Sequence, residues 1–195
     1  GYTFTNGETI TFKGEGTDPE DGILSGSSLK WASSINGEIG TGDSFSLSSI
    51  SIGSHVITLT VTDSMGMINK VSTYITVNPA PPIARIDMPD AGEEFFFRQP
   101  VGFSGSGNDL QDGELVGSSF VWTSSLDGII GSGNSFTTSS LSSGAHTITL
   151  TVTNSYGLHG TAQVNIIVRL PAPPVAGITS PADGAIFGQG EEILF

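Results

Sequence analysis

The sequence predicts an all-β fold built as tandem β-sandwiches. Three observations lead to this prediction: the 195-residue chain contains 27 Gly and 10 Pro, it alternates aliphatic residues with Thr, and it repeats itself. No long stretch shows the 3.6-residue period of an amphipathic helix. Short alternating runs separated by Gly and Pro are typical of all-β proteins.

The clearest strand signal is His55–Thr62, which returns almost unchanged as His146–Thr153. In both stretches aliphatic residues occupy every second position, and Thr fills most of the positions between them. A period of two places the two sets of side chains on opposite faces of a strand. Each stretch is therefore predicted to be a half-buried strand, and the first one ends in a turn at Asp63–Gly66.

The repeat has a constant shift of 91 residues, which maps Trp31 onto Trp122. Of the 66 positions from 12 to 77, 34 are identical to their partners at 103 to 168. Identity at this level over a constant shift indicates a tandem structural repeat.

The unit boundaries follow from the repeat and from the Pro-rich segment Pro79–Pro82. A third copy begins near the end, because Pro173–Pro181 resembles Pro81–Pro89 with one residue inserted between the copies. The stretch Ala84–Met88 is predicted to be a leading strand that the first unit lacks. We predict a first β-sandwich repeat at residues 1–79, a second at 80–170, and the N-terminal strands of a third at 171–195.

Within one unit the sequence indicates about seven short strands in roughly 90 residues, which is typical of an immunoglobulin (Ig)-like sandwich. Asn36-Gly37 and Asp127-Gly128 lie between short apolar runs. Such pairs are strong signals for two-residue hairpin turns. The fold class predicted is therefore all-β, with tandem Ig-like β-sandwiches.

Charge and missing residue types limit the function classes. The chain has 19 acidic and 6 basic residues and a net charge of −13, which argues against nucleic acid and anionic membrane because both bind basic patches. No stretch of 18 apolar residues predicts membrane insertion. Without Cys, neither a disulfide nor a zinc-thiolate site can form. Since initiator Met and signal peptide are missing, we expect a piece of a longer protein.

A family resemblance rests on Gly16–Gly22, Trp31 and Gly53–Asp63, with Trp122 repeated in the second unit. These residues resemble the polycystic-kidney-disease (PKD) domain and its Ig-like relatives, although the segment Ala32–Gly42 is longer than the family's run after the Trp. The resemblance implies an extracellular β-sandwich, usually in tandem on bacterial or archaeal surface proteins or beside the catalytic domains of secreted enzymes. A fold of this kind does not by itself fix function.

Four large side chains have both a functional and a structural interpretation. His55 and His146 are candidates for catalysis, but no Ser-His-Asp or His-metal spacing accompanies them. They are predicted instead to lie inside, where a ring nitrogen bonds nearby backbone as the corner Tyr of Ig-like sandwiches does. Trp31 and Trp122 would stack on sugars if exposed, but their alternation with apolar neighbours predicts the core.

Acidic loops are the candidate metal sites. Asp18, Glu20 and Asp21 cluster in the first unit, and Asp109 and Asp112 recur in the second. Calcium favours six to eight oxygen ligands and is the cofactor that these carboxylates suggest. Turn chemistry is the alternative, because Asp side chains bond their own backbone in loops.

Phe95, Phe96 and Phe97 are the least repetitive feature of the chain. In an extended segment, consecutive side chains alternate between faces, so the three rings cannot all lie in one core. They are predicted either to contact an adjoining unit or another chain, or to form a locally thick core.

The sequence as a whole predicts a structural, non-catalytic repeat segment of an extracellular surface protein, acting as a spacer, stalk or filament subunit. Its partners would be neighbouring repeats or copies of itself, joined head to tail, because Pro173–Phe195 contains the leading strand that the first unit lacks. A cut from a continuous array would also give such ends. The alternative function is a carbohydrate- or protein-binding adhesin module, with a glycan or surface-protein ligand, accessory to a secreted enzyme.

Overall fold

The computed structural model describes residues 1–180 and 182–192, and its strands form two units whose five-stranded sheets have equivalent strand orders. The strands of unit 1 are β1 (Tyr2–Thr5), β2 (Ile10–Lys13), β3 (Gly16–Asp18), β4 (Gly22–Leu24), β5 (Leu29–Ser33), β6 (Gly37–Thr41), β7 (Ser44–Leu47), β8 (Gly53–Thr62) and β9 (Ile68–Asn78). Those of unit 2 are β10 (Ile83–Met88), β11 (Glu94–Phe96), β12 (Val101–Asp109), β13 (Gly113–Glu114), β14 (Phe120–Ser124), β15 (Gly128–Ser132), β16 (Ser135–Thr138), β17 (Gly144–Thr153) and β18 (His159–Arg169). Single 3-10 turns at Gly26–Ser28 and Gly117–Ser119 precede β5 and β14.

One face of each unit is a five-stranded sheet. Its order is β1-β9-β8-β5-β6 in unit 1 and β11-β18-β17-β14-β15 in unit 2. The antiparallel ladders β8–β9 and β17–β18 run the full ten residues of β8 and β17. The outer strands β1 and β11 are short and pair in parallel with β9 and β18.

The opposite face is complete only in unit 2. There β12 pairs with β10, β13 and β16. In unit 1 the residues that correspond to β12 are divided between β2, which pairs with β7, and β3, which pairs with β4. Among residues 1–79, all of which the structure describes, no strand corresponds to β10.

Each unit closes around its own aromatic cluster. In unit 1 the rings of Phe12 and Phe45 stack at 5.2 Å, and both lie 5.9 Å from Trp31. The equivalent cluster of unit 2 has a similar geometry, with the Phe103 and Phe136 rings stacked at 4.9 Å and lying 5.6 and 5.8 Å from Trp122. Aliphatic residues at alternate positions of β8 and β17 complete the two cores. The predicted fold class, all-β tandem Ig-like sandwiches, is confirmed.

The predicted two-residue hairpin turns are wrong in detail. A hairpin does join β5 to β6, but its turn is Ser34–Asn36, and Gly37 pairs with Ser33 within the sheet. The cause is the Ser33 hydroxyl, which accepts the backbone N–H groups of Ile35 and Asn36 and so shapes a longer loop.

The segment after Leu170 contains no strand within residues 171–180 and 182–192. Part of the predicted third repeat, Pro181 and residues 193–195, lies outside the described residues. The strands of a third unit therefore stay a prediction. Nowhere in the described ranges does a helix reach the length and apolarity that a membrane crossing requires.

We predict that Gly160→Ala destabilises unit 2. A Cβ built on Gly160 would lie 1.9 Å from the carbonyl oxygen of Pro82, so the linker would have to move. Overpacking of this kind typically costs about 1–3 kcal/mol. Urea unfolding followed by fluorescence should show the loss, whereas Asn69→Ala at the equivalent exposed position of unit 1 should be nearly neutral. Equal stability of the Gly160→Ala chain and the unmodified chain would contradict the close approach.

Candidate functional site

Unit 1 buries one histidine in a hydrogen-bonded network. The ring of His55 is 1% exposed, with Nδ1 2.7 Å from Ser33 Oγ and Nε2 2.8 Å from the carbonyl oxygen of Ser51. Since Ser33 Oγ already accepts two backbone N–H groups, its hydroxyl proton must point at Nδ1. We therefore assign His55 as the tautomer that accepts at Nδ1 and donates from Nε2 to the carbonyl oxygen of Ser51.

Unit 2 repeats this network and adds a carboxylate. His146 lies 2.8 Å from Ser124 Oγ and 2.7 Å from the carbonyl oxygen of Ser142. Asp127, which replaces Asn36 of unit 1, places Oδ2 3.6 Å from His146 Nδ1. Three residue types of a hydrolytic triad thus meet in unit 2.

This cluster does not have the geometry of a catalytic triad. In a triad the serine and the carboxylate face opposite ring nitrogens. Here Ser124 and Asp127 both face Nδ1 of His146, and a backbone carbonyl occupies Nε2. The His146 ring is 1% exposed and Ser124 is also buried, so the serine hydroxyl has no open face for a substrate. The network instead joins β14, β17 and the loop before β17.

The charge of Asp127 is stabilised by its neighbours. Partial burial raises the pKa of Asp127, but hydrogen bonds from the Ser142 hydroxyl and N–H, together with the nearby His146 ring, lower it by more. The pKa of Asp127 therefore lies below its ordinary value of 3.8.

Both tryptophans belong to the cores. Trp31 and Trp122 are 6% and 0% exposed. Each indole N–H donates to a backbone carbonyl at 2.9 Å, that of Gly42 in unit 1 and that of Gly133 in unit 2. Neither indole face is available for stacking on a sugar.

The acidic loop of unit 1 is held by bonds within the protein. Asp18 Oδ1 accepts the N–H groups of Asp21 at 3.0 Å and Glu20 at 2.9 Å, and these bonds hold the pKa of Asp18 below its ordinary value. Asp21 accepts both the N–H and the hydroxyl of Ser64 at 2.8 Å. The loop between β3 and β4 is thereby joined to the turn that follows β8, while Glu20 is exposed.

The equivalent loop of unit 2 also holds the linker. Asp109 accepts N–H groups of its own loop, and Asp112 accepts both donors of Ser155. Asn154 Nδ2 donates at 3.0 Å to Asp109 Oδ2 and to the carbonyl oxygen of Ala80. Burial raises the pKa of Asp109, but the hydrogen bond from Asn154 and those of the loop N–H groups outweigh it and lower the pKa.

No group of three His, Asp or Glu side chains within residues 1–180 and 182–192 has the geometry to hold a metal ion. The hydrogen bonds of Asp18, Asp21, Asp109 and Asp112 are those that loop-forming carboxylates make. Calcium binding stays a prediction of the sequence, and a melting temperature that falls when a chelator is added would support it.

The three consecutive phenylalanines do not all enter one core, and the strand that contains the first two ends at Phe96. Phe95 is buried in the core of unit 2, whereas Phe96 is 59% exposed and Phe97 is 37% exposed. The Arg98 guanidinium lies 5.3 Å from the centre of the Phe97 ring. A contact of Phe96 and Phe97 with an adjoining unit or another chain stays a prediction.

The chain has low sequence identity to the known proteins that it resembles. No protein-family model matches the sequence, and no curated protein matches it. The chain is similar to the fibronectin(III)-like modules of Clostridium thermocellum CbhA, with 15% identity, a TM-score of 0.42 and coverage of 87% of this chain and 90% of that chain.

The chain is also similar to the insect immune protein hemolin, with 13% identity, a TM-score of 0.44 and coverage of 87% of this chain and 44% of that chain. For the eight N-terminal Ig domains of the Down syndrome cell adhesion molecule, identity is 17%, the TM-score is 0.36, and coverage is 89% and 26%. The chain thus spans less than half the length of these two structures. The fold of this chain is evident from its own strand order.

We predict that Ser33→Ala lowers the free energy of unfolding of unit 1. The substitution leaves His55 Nδ1 and two backbone N–H groups without their common partner. An unsatisfied buried polar group costs about 1–3 kcal/mol. Urea unfolding should show the loss, with Ser49→Ala, at an exposed position of the same unit, as the control. A Ser33→Ala chain as stable as the control would contradict the assigned network.

A second prediction concerns pH. Because the pKa of Asp127 is lowered on folding, its contribution to stability is present above pH 3.8 and is lost as pH falls through the folded-state pKa. Asp127→Asn, the residue type of unit 1, should therefore reduce the loss of unit 2 stability between pH 7 and pH ~3. The measurement is urea unfolding followed by Trp122 fluorescence in a Trp31→Phe background. An unchanged pH dependence would exclude this role for Asp127.

Proposed function

We propose that the chain is a non-catalytic structural segment of an extracellular surface protein, a PKD-like spacer or filament subunit. Neighbouring repeats or copies of the chain, joined head to tail, are the partners we propose. The observation that carries this proposal is the anchored junction between two units that each close around their own core.

The junction is short and Pro-rich. β9 ends at Asn78 and β10 begins at Ile83, and three of the four residues between them are Pro. Pro-rich linkers are extended and semi-rigid. The linker is also hydrogen-bonded to unit 2, because Asn154 Nδ2 donates to the carbonyl oxygen of Ala80. A linker of this kind favours a fixed relation between consecutive units.

A contact across the junction supports the same interpretation. A Cβ built on Gly7 of unit 1 would lie 2.9 Å from Cδ2 of Leu110, which belongs to the acidic loop of unit 2. That loop therefore contacts unit 1 through Leu110 while Asp109 and Asn154 hold the linker. The loops considered for metal binding have a mechanical role in this proposal.

The side chains that would be expected to perform chemistry are inside. Both His rings of the networks and both indoles are buried, and their polar atoms bond to serines or backbone carbonyls. The binding-module alternative requires an aromatic platform, and the two indoles do not provide one. Low charge content, 13% of residues, with a net charge of −13 is compatible with a soluble Ser- and Thr-rich surface.

We expect the 195-residue chain to be a stiff rod in solution. A ten-residue strand spans ~33 Å, so two units in series should give a maximum dimension of about 70–90 Å. Small-angle X-ray scattering measures this dimension. A compact particle, or a scattering curve that requires freely jointed units, would contradict the spacer proposal.

The matched variants for this experiment are Asn154→Ala and Asp63→Ala. Both remove an oxygen that accepts turn N–H groups after the long central strand, but only Asn154 also holds the linker. We expect Asn154→Ala to broaden the distribution of distances between the units and Asp63→Ala to leave it unchanged. If both variants have the same effect, the linker bond has no mechanical role.

A further inference from the structure

We infer that the turn Phe96–Gln99 of unit 2 is an interface for a further β-sandwich unit, one whose acidic loop has the composition of Asp18–Asp21 in unit 1. The inference rests on the proposed function and names the chemistry by which one unit selects its neighbour. Its template lies within this chain, because the equivalent turn of unit 1, Thr5–Glu8, contacts the acidic loop of unit 2.

The two turns have the same backbone structure. Each begins at the last residue of the parallel outer strand, and its second residue donates its N–H to the carbonyl oxygen of the residue that ends the last strand of the unit. These bonds, both 2.8 Å long, run from Asn6 to Asn78 and from Phe97 to Arg169. In both turns the side chain of the fourth residue accepts the N–H of the first. The turn therefore occupies the same place in both units, beside the end of the last strand.

The turn of unit 1 closely approaches the acidic loop of unit 2. A Cβ built on Gly7 would lie 2.9 Å from Leu110 Cδ2. Beside Leu110, the oxygen and nitrogen of the Gln111 side-chain amide are buried, and neither has a hydrogen-bond partner within residues 1–180 and 182–192. The polar end of this side chain is thus removed from water next to the contact between the two units.

The turn of unit 2 has a different surface chemistry. Thr5, Asn6, Gly7 and Glu8 are replaced by Phe96, Phe97, Arg98 and Gln99. One acidic side chain is lost and one basic side chain is gained, so the charge of the turn changes from −1 to +1. Phe96 and Phe97 are 59% and 37% exposed. Aromatic residues and Arg are enriched in the energetically important centres of protein interfaces.

Arg98 has the left-handed backbone that Gly7 has in unit 1. Its φ is 66°, in a region that favours glycine, and non-glycine residues held there cluster at functional sites. The Arg98 guanidinium lies 5.3 Å from the centre of the Phe97 ring. Among the residues that the structure describes, no carboxylate forms an ion pair with Arg98. This guanidinium is therefore available to bind a carboxylate of a partner.

The two acidic loops differ in the same property as the two turns. Asp109–Asp112 of unit 2 has two carboxylates and contacts the turn that carries Glu8. Asp18–Asp21 of unit 1 has three, because Glu20 stands at the position of Gln111. Glu20 is exposed, whereas the amide of Gln111 is buried.

The position of Gln111 decides which loop fits which turn. A Glu at this position would bury a carboxylate, and a buried charge requires a partner of opposite sign. The turn Thr5–Glu8 offers only a like charge, whereas Phe96–Gln99 offers the Arg98 guanidinium and two apolar rings. Attraction to the right partner and repulsion of the wrong one together give specificity. The turn of unit 2 therefore fits a loop of the Asp18–Asp21 type.

The test builds the proposed contact in the existing junction between units 1 and 2. The turn exchange gives unit 1 the turn of unit 2 and consists of Thr5→Phe, Asn6→Phe, Gly7→Arg and Glu8→Gln. The loop exchange gives unit 2 the loop of unit 1 and consists of Leu110→Pro and Gln111→Glu. Each exchanged sequence already occurs at the equivalent position of the other unit, and urea unfolding curves check that every variant folds.

The readout is the distribution of distances between the units, measured by pulsed electron paramagnetic resonance. Since the unmodified chain has no Cys, nitroxide labels are attached through Ser48→Cys and Ser139→Cys, at exposed equivalent positions of units 1 and 2. The turn exchange alone should broaden the distribution, because an Arg side chain occupies the space of Leu110. The loop exchange alone should broaden it too, because a carboxylate is buried near Glu8. The two exchanges together should restore the original width.

A matched control isolates the charge pair. The turn exchange combined with Leu110→Pro alone keeps Gln111, so the new guanidinium has no carboxylate to bind and the distribution should stay broad. Added salt should broaden the distribution of the doubly exchanged chain more than that of the unmodified chain, because it screens the pair. A doubly exchanged chain that stays broad, single exchanges that change nothing, or a control as narrow as the double exchange would each overturn the inference.

The outcome is distinguishable from failure of the proposed function. A narrow distribution in the unmodified chain with a broad one in the doubly exchanged chain keeps the spacer and removes selection by the turn, leaving the two exposed rings to another kind of ligand. A broad distribution in the unmodified chain contradicts the spacer itself. Selection by the turn would then be supported by a doubly exchanged chain narrower than the unmodified one and overturned by one equally broad.

Discussion

The long antiparallel ladder between the last two strands of each unit determines the rest of the structure. β8 and β17 pair over ten residues with β9 and β18, and this pairing fixes which alternate side chains enter the core. A shift of one residue would move the aliphatic set to the solvent face. The Trp cluster, the buried His and the second sheet all depend on this register, because each packs against the inward face of the same strand.

Each unit holds its polar interior through a small number of serines and backbone groups. Ser33 and Ser124 each serve two backbone N–H groups and one imidazole. Fully satisfied buried polar groups of this kind specify one loop conformation, whereas a half-satisfied set would be costly. The histidines are therefore best understood as connectors between the sheet and the loop before β8 or β17.

The two units differ at one sheet edge. In unit 2, β12 is one continuous strand beside β10, and Val152 and Trp122 are fully buried. In unit 1 the same stretch divides at Gly14 and Glu15, and Val61 is half-buried.

Much of the fold could be predicted from the sequence, because period-two patterns and a constant repeat are local or countable signals. The parallel strands β1 and β11 were missed, since four or three residues carry too little pattern to indicate pairing with a strand some 70 residues away.

The partners of the site residues are long-range and could not be read from spacing. Asp21 meets Ser64 across 43 residues, and Asn154 meets Ala80 across 74. Identity of Ser33 with Ser124 and of Ser64 with Ser155 was the signal available. It marked these serines as shared between the units without indicating what they bind.

The central claim is that the long ladders of β8 with β9 and of β17 with β18 determine the structure of each unit. Hydrogen–deuterium exchange of the unmodified chain tests this most directly. The account predicts that the amides of residues 53–62 and 144–153 are among the slowest to exchange in their units, because opening these strands disrupts the core. Exchange of these amides as fast as that of exposed loops would contradict it.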